Sequence, residues 1–528
     1  MRNDVDSLFC NKAARVWFRI FAILVSFYIA TTRVLASVYP ESIQKWFKLI
    51  IYLALILIFT ILIYYLILWV TVALAKKNKH EPGLRKKAPR FVLYTLIAFI
   101  PLFITFLYYF PGGTSPDTVN QWKQVQAFTF NNWHPVFHTL LIWLASRIVN
   151  AYAFVVLIQM LAFSFGIGYL FSTLDAKGIS RKALFLVLFL TVFNTTTRNQ
   201  MTYLWKDSAM SISILFLTAM LINIYLSDGA WLSSWRNVAA VSVLMAVTTL
   251  VRHNACFFTV PLAIILIIAY RREKKTKWVV LSALALVLLV RFPLYSALDV
   301  TYPDNTVAEA AGLPMTIMGD VLVQNPDALS DTTKEFLLSI APEEEWQAEY
   351  ELGNYNSVKF SFNASEIVNA TSPYELIRMT LSTIRNDPFD SVEAVTKLTS
   401  IAWDSSGEYV YELSPTRGSS SLGEAFTLSV NKIGEILISP IDVIDDFIPS
   451  VFVKSVGFCV ACLLFCFTVT LPRNRFKSLL LVLPALCYNF GTMLLLAGDD
   501  YRFFHFNILV SYPICLVLLL AKRDAAAE

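Results

Sequence analysis

The residues of this chain best suited to chemistry lie in a few short stretches. The densest is FPGGTSPDTVNQW, residues 110–122, followed by NNWHPVFHT, residues 131–139. Pro111, Gly112, Gly113 and Pro116 predict a tight, irregular turn, which delivers Asp117 at a helix start. Two readings of Asp117 stay open at this stage. It caps the helix, or it is a carboxylate poised as a general base or metal ligand. His134 and His138 are spaced i, i+4, so a helix would turn both to one side. With Asp117 nearby they form a candidate site for a divalent cation, the only cofactor the sequence suggests. The alternative is an interfacial helix that simply uses amphipathic histidines.

Three further stretches carry unusual polar groups. TRNQMTYLWKDSAM holds Arg198, Lys206 and Asp207, and VRHNACF holds Arg252 and His253. GDDYRFFHFN holds Asp499, Asp500, Arg502 and His505. Lys206 beside Asp207 has the form of an anchor followed by a cap, and a boundary arginine can snorkel. Guanidinium and ammonium groups also match phosphate oxygens. The candidate substrate-binding residues are therefore His134, His138, Arg198, Lys206, Asp207, Arg252, His253 and Arg502.

The elements that must position these groups are membrane helices. Of 528 residues, 56% are hydrophobic and only 15% charged, against about 45–50% and about 25% in soluble domains. A surplus of that size excludes most soluble enzymes, and its recurrence along the chain excludes a single-anchor receptor. Crossing about 30 Å of hydrocarbon takes about 20 apolar residues. That ruler predicts about twelve spans, near 15–37, 48–75, 91–110, 151–173, 183–198, 208–226, 237–251, 254–270, 277–298, 447–471, 478–497 and 503–521. The first run is too long, and too soon followed by another, for a cleaved signal peptide.

Charge placement orients them. Lys76, Lys77, Lys79, Arg85, Lys86, Lys87 and Arg90 crowd the second connection, which also carries His80. Lys177, Arg181 and Lys182 mark the fourth connection, and Arg271, Arg272, Lys274, Lys275 and Lys277 the eighth. Arg473, Arg475 and Lys477 mark the tenth, and Lys522 and Arg523 follow the last span. An inside N-terminus puts every cluster on the cytoplasmic side. The expected localisation is the cell membrane, multi-pass, with both termini cytoplasmic and the polar stretches outside. Arg198, Lys206, Arg252 and Arg502 then run against the positive-inside tendency, and an anionic ligand at the outer surface would explain them.

Four regions follow: 1–90, two spans and a basic loop; 91–298, a transmembrane core with the outer loop 111–150; 299–446, an extracytoplasmic domain; and 447–528, the last three spans. From Asp299 to Asp446 the chain carries 25 of the 38 acidic residues but 7 of the 43 basic ones. SPYELIRMTLSTIRNDP there reads as helix and YVYEL as strand, so the domain is expected to be mixed. Residues 136–150 are apolar yet too short to cross and read as an interfacial or re-entrant helix. Most of the seven cysteines fall inside apolar runs and read as packing residues. The sequons at Asn194, Asn363 and Asn369 carry little information.

The stretches PGGTSPDTVNQW, NWHPVFHT, YLWKD and DDYRF resemble those of a poorly characterised bacterial branch of the GT-C superfamily of integral-membrane glycosyltransferases. The resemblance covers roughly 91–298 and the last three spans. It departs in its two leading spans and in having no second acid beside Asp117. It implies a GT-C-like fold and a polyprenyl-phosphate-linked sugar donor. It also implies an envelope glycan, lipid or protein acceptor and an active site outside the cytoplasm. Asp117 becomes the catalytic candidate, and Arg198, Lys206, Arg252 and Arg502 become candidates for the lipid phosphate. The competing readings are a transporter or flippase of lipid-linked sugars and a non-catalytic scaffold for envelope assembly.

Overall fold

In the computed structural model, the described residues are 2–9, 11–35, 45–78, 90–303, 306–362, 364–406, 416–418, 423–498 and 500–520. Cys10, Lys79, His80, Arg85, Lys86, Lys87, the sequon Asn363, the YVYEL stretch, Asp499, Lys522 and Arg523 lie outside them. The chain is an α-helical membrane protein in which eight helices are long and apolar enough to cross a bilayer. It divides into two compact units. The first holds Met1–Thr301, Asp404–Tyr488 and Phe504–Glu528; the second holds Tyr302–Trp403 and Asn489–Phe503.

The first unit begins with α1 (Lys12–Leu35), α2 (Lys45–Asn78) and α3 (Phe91–Tyr108). A two-residue strand β1 (Gly113–Thr114) precedes α4 (Pro116–Ala127) and the short apolar α5 (Val136–Ser146). Then come α6 (Tyr152–Ala176), α7 (Arg181–Val192), α8 (Thr195–Gln200) and α9 (Lys206–Leu226). α10 (Trp235–Val251), α11 (Cys256–Ala269) and α12 (Thr276–Leu289) complete this half. Helices α3, α9 and α7 pack on α6, and α10 packs on α9 and α12.

Four of the twelve predicted spans are shorter in the structure. The one placed at 183–198 is broken into α7 and α8, because Asn194 turns its side chain back to cap α8 at Thr197 N (2.7 Å). The twelve residues of α7 rise only about 18 Å, short of the hydrocarbon width. The spans placed at 237–251 and 254–270 correspond to α10 and α11, and that at 503–521 to Phe506–Leu520. Asn194 is fully buried and also donates to Leu190 O and Thr191 O, so in the folded chain it is no glycan acceptor.

The second unit centres on α13 (Gly312–Gln324), flanked by α14 (Pro373–Asn386) and α15 (Pro388–Trp403). The Ser372–Glu375 capping box starts α14, as S-x-x-E before an apolar stripe dictates. Met315, Met318, Val321, Leu322 and Trp346 form the core. Every regular element described in this unit is a helix, where the sequence led us to expect a mixed domain.

Its boundary also differs from the expected 299–446. Asp404–Tyr488 belongs to the first unit, with strand β2 (Thr416–Arg417) pairing antiparallel with β1 and α16 (Glu424–Asp446) lying along α3. Gly434 permits that approach, since a Cβ there would collide with the Tyr108 backbone. The remaining helices are α17 (Val456–Asn474), α18 (Leu479–Met493) and α19 (Phe506–Leu520). Cys459, Cys462 and Cys466 sit on α17 as free thiols.

Candidate functional site

The site is assembled from the loop before α4, the loop before α5 and the start of α9. Gly112 has φ +132°, and a side chain there would strike Val156, Tyr152 and the Thr202 carbonyl, so only glycine fits. Gly113 N donates to Thr202 O (3.1 Å), and Tyr152 Oη donates to Gly113 O (2.7 Å). Trp205 Nε1 donates to Ser115 Oγ (2.8 Å), and the Tyr203 and Trp205 rings stack with centroids 4.0 Å apart. The Gln159 amide donates to the Tyr203 carbonyl (2.7 Å). The PGGTSPD and YLWKD stretches are thus held together by several independent bonds.

Ser115, not Asp117, caps α4. Its side chain accepts from Thr118 N while Thr118 Oγ1 accepts from Ser115 N. That releases Asp117 from the capping role and leaves its carboxylate in the first turn, where the helix dipole favours an anion. Asp117 Oδ2 lies 3.8 Å from Lys206 Nζ, with the acid 29% and the lysine 19% exposed. Lys206 Nζ also donates to His134 Nδ1 (3.1 Å). An ammonium has no lone pair, so this bond requires an unprotonated Nδ1. Asp117, Lys206 and His134 form one connected group.

His138 does not join His134 as a ligand pair. The helix begins only at Val136, with Pro135 as its cap, so the i, i+4 geometry never forms. His138 is buried, and Gln121 Nε2 contacts its Nδ1 (3.0 Å) as well as Thr139 Oγ1 (2.9 Å). Burial first, then the charge of Lys206, pushes the His138 ring down to about 3. His138 therefore stays neutral at any ordinary pH.

Among the described residues no three His, Cys, Asp or Glu groups are placed to hold a metal ion. The Lys206 ammonium lies within contact distance of both Asp117 and His134, where a shared cation would need to sit. These residues do not fit the divalent-cation site formed by Asp117, His134 and His138 that the sequence suggested.

His138 also lines an apolar cavity of about 460 Å³ between α5, α6, α9 and α10. Ile142, Ala145, Val155, Leu204, Phe216 and Val247 are among its walls, and Gln159 and Ser213 are polar exceptions. His138, in its wall, lies near enough to Lys206 to feel its charge, so the cavity adjoins the polar group.

The other predicted site residues separate into distinct roles. Asp207 is fully buried and forms an ion pair with Arg252 at the end of α10. His253 hydrogen-bonds the backbone of Asn132 and Trp133 in the loop that carries His134. Desolvation of the ring, then the charges of Lys206 and Arg291, hold its pKa down to about 4 against those two bonds. Arg198 is elsewhere in the first unit and fully buried. It donates to Phe193 O (2.9 Å), Thr105 Oγ1 (3.1 Å), Thr195 Oγ1 (2.9 Å) and Asp442 Oδ1 (2.7 Å). With all three nitrogens engaged it fastens the broken helix to α3 and α16. Arg502 belongs to the second unit, where its Nε donates to Asp500 Oδ2 (2.7 Å).

Sequence reading missed Ser115, Tyr152, Gln121 and Arg291 as parts of this region. The S-x-x-T pattern at 115–118 was the available signal for the first; the others depend on contacts from distant helices. No family model, no curated protein and no solved structure matches the chain.

Proposed function

We propose that this chain is a membrane glycosyltransferase with a GT-C-like fold. It moves a sugar from a polyprenyl-phosphate-linked donor to a cell-envelope acceptor, on the outer face of the membrane. The observation that carries the reading is the junction of Asp117, Lys206 and His134 with an apolar cavity. Such a junction suits a lipid whose tail stays in hydrocarbon while its head is handled by polar groups. The broken pair α7–α8, with α10, α11 and α19, completes twelve crossings in this reading, which keeps the basic connections cytoplasmic and the Asp117 loop outside.

The chemistry follows from the groups present. Asp117 accepts the proton of the acceptor hydroxyl as it attacks the anomeric carbon. Lys206, 3.8 Å from that carboxylate, meets the departing phosphate. His134, neutral at Nδ1, fixes the ammonium. Tight, bound donors of this kind act without reorganisation as charge develops on the leaving group. Arg252 and Asp207 brace the start of α9 that presents Lys206.

One observation favours a second reading. The break between α7 and α8 is a feature of transporters, whose binding sites sit at interrupted helices. Purified full-length protein in liposomes, supplied with a panel of polyprenyl-phosphate sugars and analysed by mass spectrometry, separates the two. Glycosylated product supports the transferase. Lipid-linked sugar carried across the bilayer unchanged supports the carrier and overturns the transferase.

A further inference from the structure

Arg291 lies inside the candidate span Thr276–Ala297, toward the end that leads to Asp299. A cation in a spanning helix is costly, and the default expectation is that it serves a function. Pro293 has no N–H, so the α-helical ladder fails locally and Val290–Leu294 wind as a π turn. That turn re-aims the final residues of the span. Tyr295 Oη accepts from Phe137 N (3.0 Å), Thr301 N donates to Phe130 O (3.0 Å) and Asn132 N donates to Thr301 O (2.8 Å). Phe130, Val136 and Tyr295 close a small buried cluster around these bonds. The end of the span is thereby stitched to the loop that carries His134.

Arg291 itself is exposed and has no ion-pair or hydrogen-bond partner among the described residues. Its charge and that of Lys206 both act on His253. An exposed cation beside a second cation, fixed by a distorted helix and lacking an acid of its own, is arranged to receive an anion from outside the chain.

We propose that Arg291 is an anion-binding residue that, with Lys206 and His253, holds the phosphate of the lipid-linked donor. This rests on the glycosyl-transfer reading above. The guanidinium offers paired N–H donors to phosphate oxygens, and the lysine contributes a point charge. The tail would then enter the apolar cavity while its phosphate stays between α9 and the π turn.

The test measures equilibrium binding to full-length protein in nanodiscs for three probes: a polyprenyl phosphate, the polyprenol of equal chain length, and inorganic phosphate. Arg291→Ala is expected to weaken the polyprenyl phosphate about tenfold to hundredfold. It should leave the polyprenol and the melting temperature unchanged, and Arg291→Lys should recover most of the affinity. Unchanged polyprenyl-phosphate affinity in Arg291→Ala, with the wild type binding it, means a snorkelling arginine and overturns the proposal while leaving glycosyl transfer standing. Equal weakening of polyprenol means a packing role and also overturns it. Inorganic phosphate binding as tightly as the lipid overturns the lipid assignment. A wild type that binds no polyprenyl phosphate overturns both this proposal and the reading it rests on.

Discussion

Breaking the Arg252–Asp207 pair is the sharpest structural perturbation available. Asp207 is fully buried and the Arg252 side chain 7% exposed, so truncating the arginine leaves a carboxylate without its counter-charge in a low-dielectric interior. Removing one member of such a pair costs about 3–5 kcal/mol, whereas replacing both by apolar residues is often neutral. At about 2.1 cal/mol/K per residue, a chain of this length unfolds with an entropy of about 1 kcal/mol/K, so Arg252→Ala should lower Tm by about 3–5 °C. Arg252→Met combined with Asp207→Leu should return to within about 1 °C of wild type. The assay is the temperature at which detergent-solubilised protein loses its monodisperse chromatographic peak. A single variant that melts with the wild type, or a double variant as weak as the single, refutes the bracing role. It would return Arg252 to the phosphate-binding role its sequence context suggested.

Other outcomes follow from the same contacts. His138 folds with a pKa of about 3 against its ordinary 6.5. Below pH 6.5 the unfolded chain takes up a proton that the folded chain refuses. The stability from neutral burial is therefore present above 6.5 and is lost toward pH 3, by at most about 1.4 kcal/mol per pH unit. His138→Gln should flatten that slope in melts taken from pH 7 to pH 4; an unaltered slope contradicts the assignment. Gly434→Val forces α16 off Tyr108 and should cost about 1–3 kcal/mol, read as a lower melting temperature. Ala145→Trp or Ala209→Trp fills the cavity and should weaken polyprenol binding about tenfold, since each displaced methylene is worth about 0.8 kcal/mol. Equal affinity would place the tail elsewhere.

The membrane class of this protein was legible because apolar length is a local property, and the eight long helices lie where apolar runs were expected. The break at Asn194 was not, because the run LFLVLFLTVFN looks continuous until its asparagine is seen to cap the next turn. Asp117 and Lys206 stood out as polar groups at the ends of apolar runs, and the structure brings them together. Arg198 stood out by the same signal and proves to be a fastener, because its carboxylate partner, Asp442, lies 244 residues along the chain. The histidine pair failed for a smaller reason: Pro135 caps a helix that begins at Val136, two residues too late to include His134. Periodicity assigns a face only once the first helical residue is known, and here a single proline decided it.

The proposal stands or falls most directly on Asp117. Single-turnover transfer from a polyprenyl-phosphate sugar should be measured for wild type and Asp117→Asn in the same liposomes, alongside polyprenyl-phosphate binding. Loss of transfer by at least about a hundredfold, with binding and melting temperature kept, is the expected result. Asp117→Asn turning over like the wild type would contradict it.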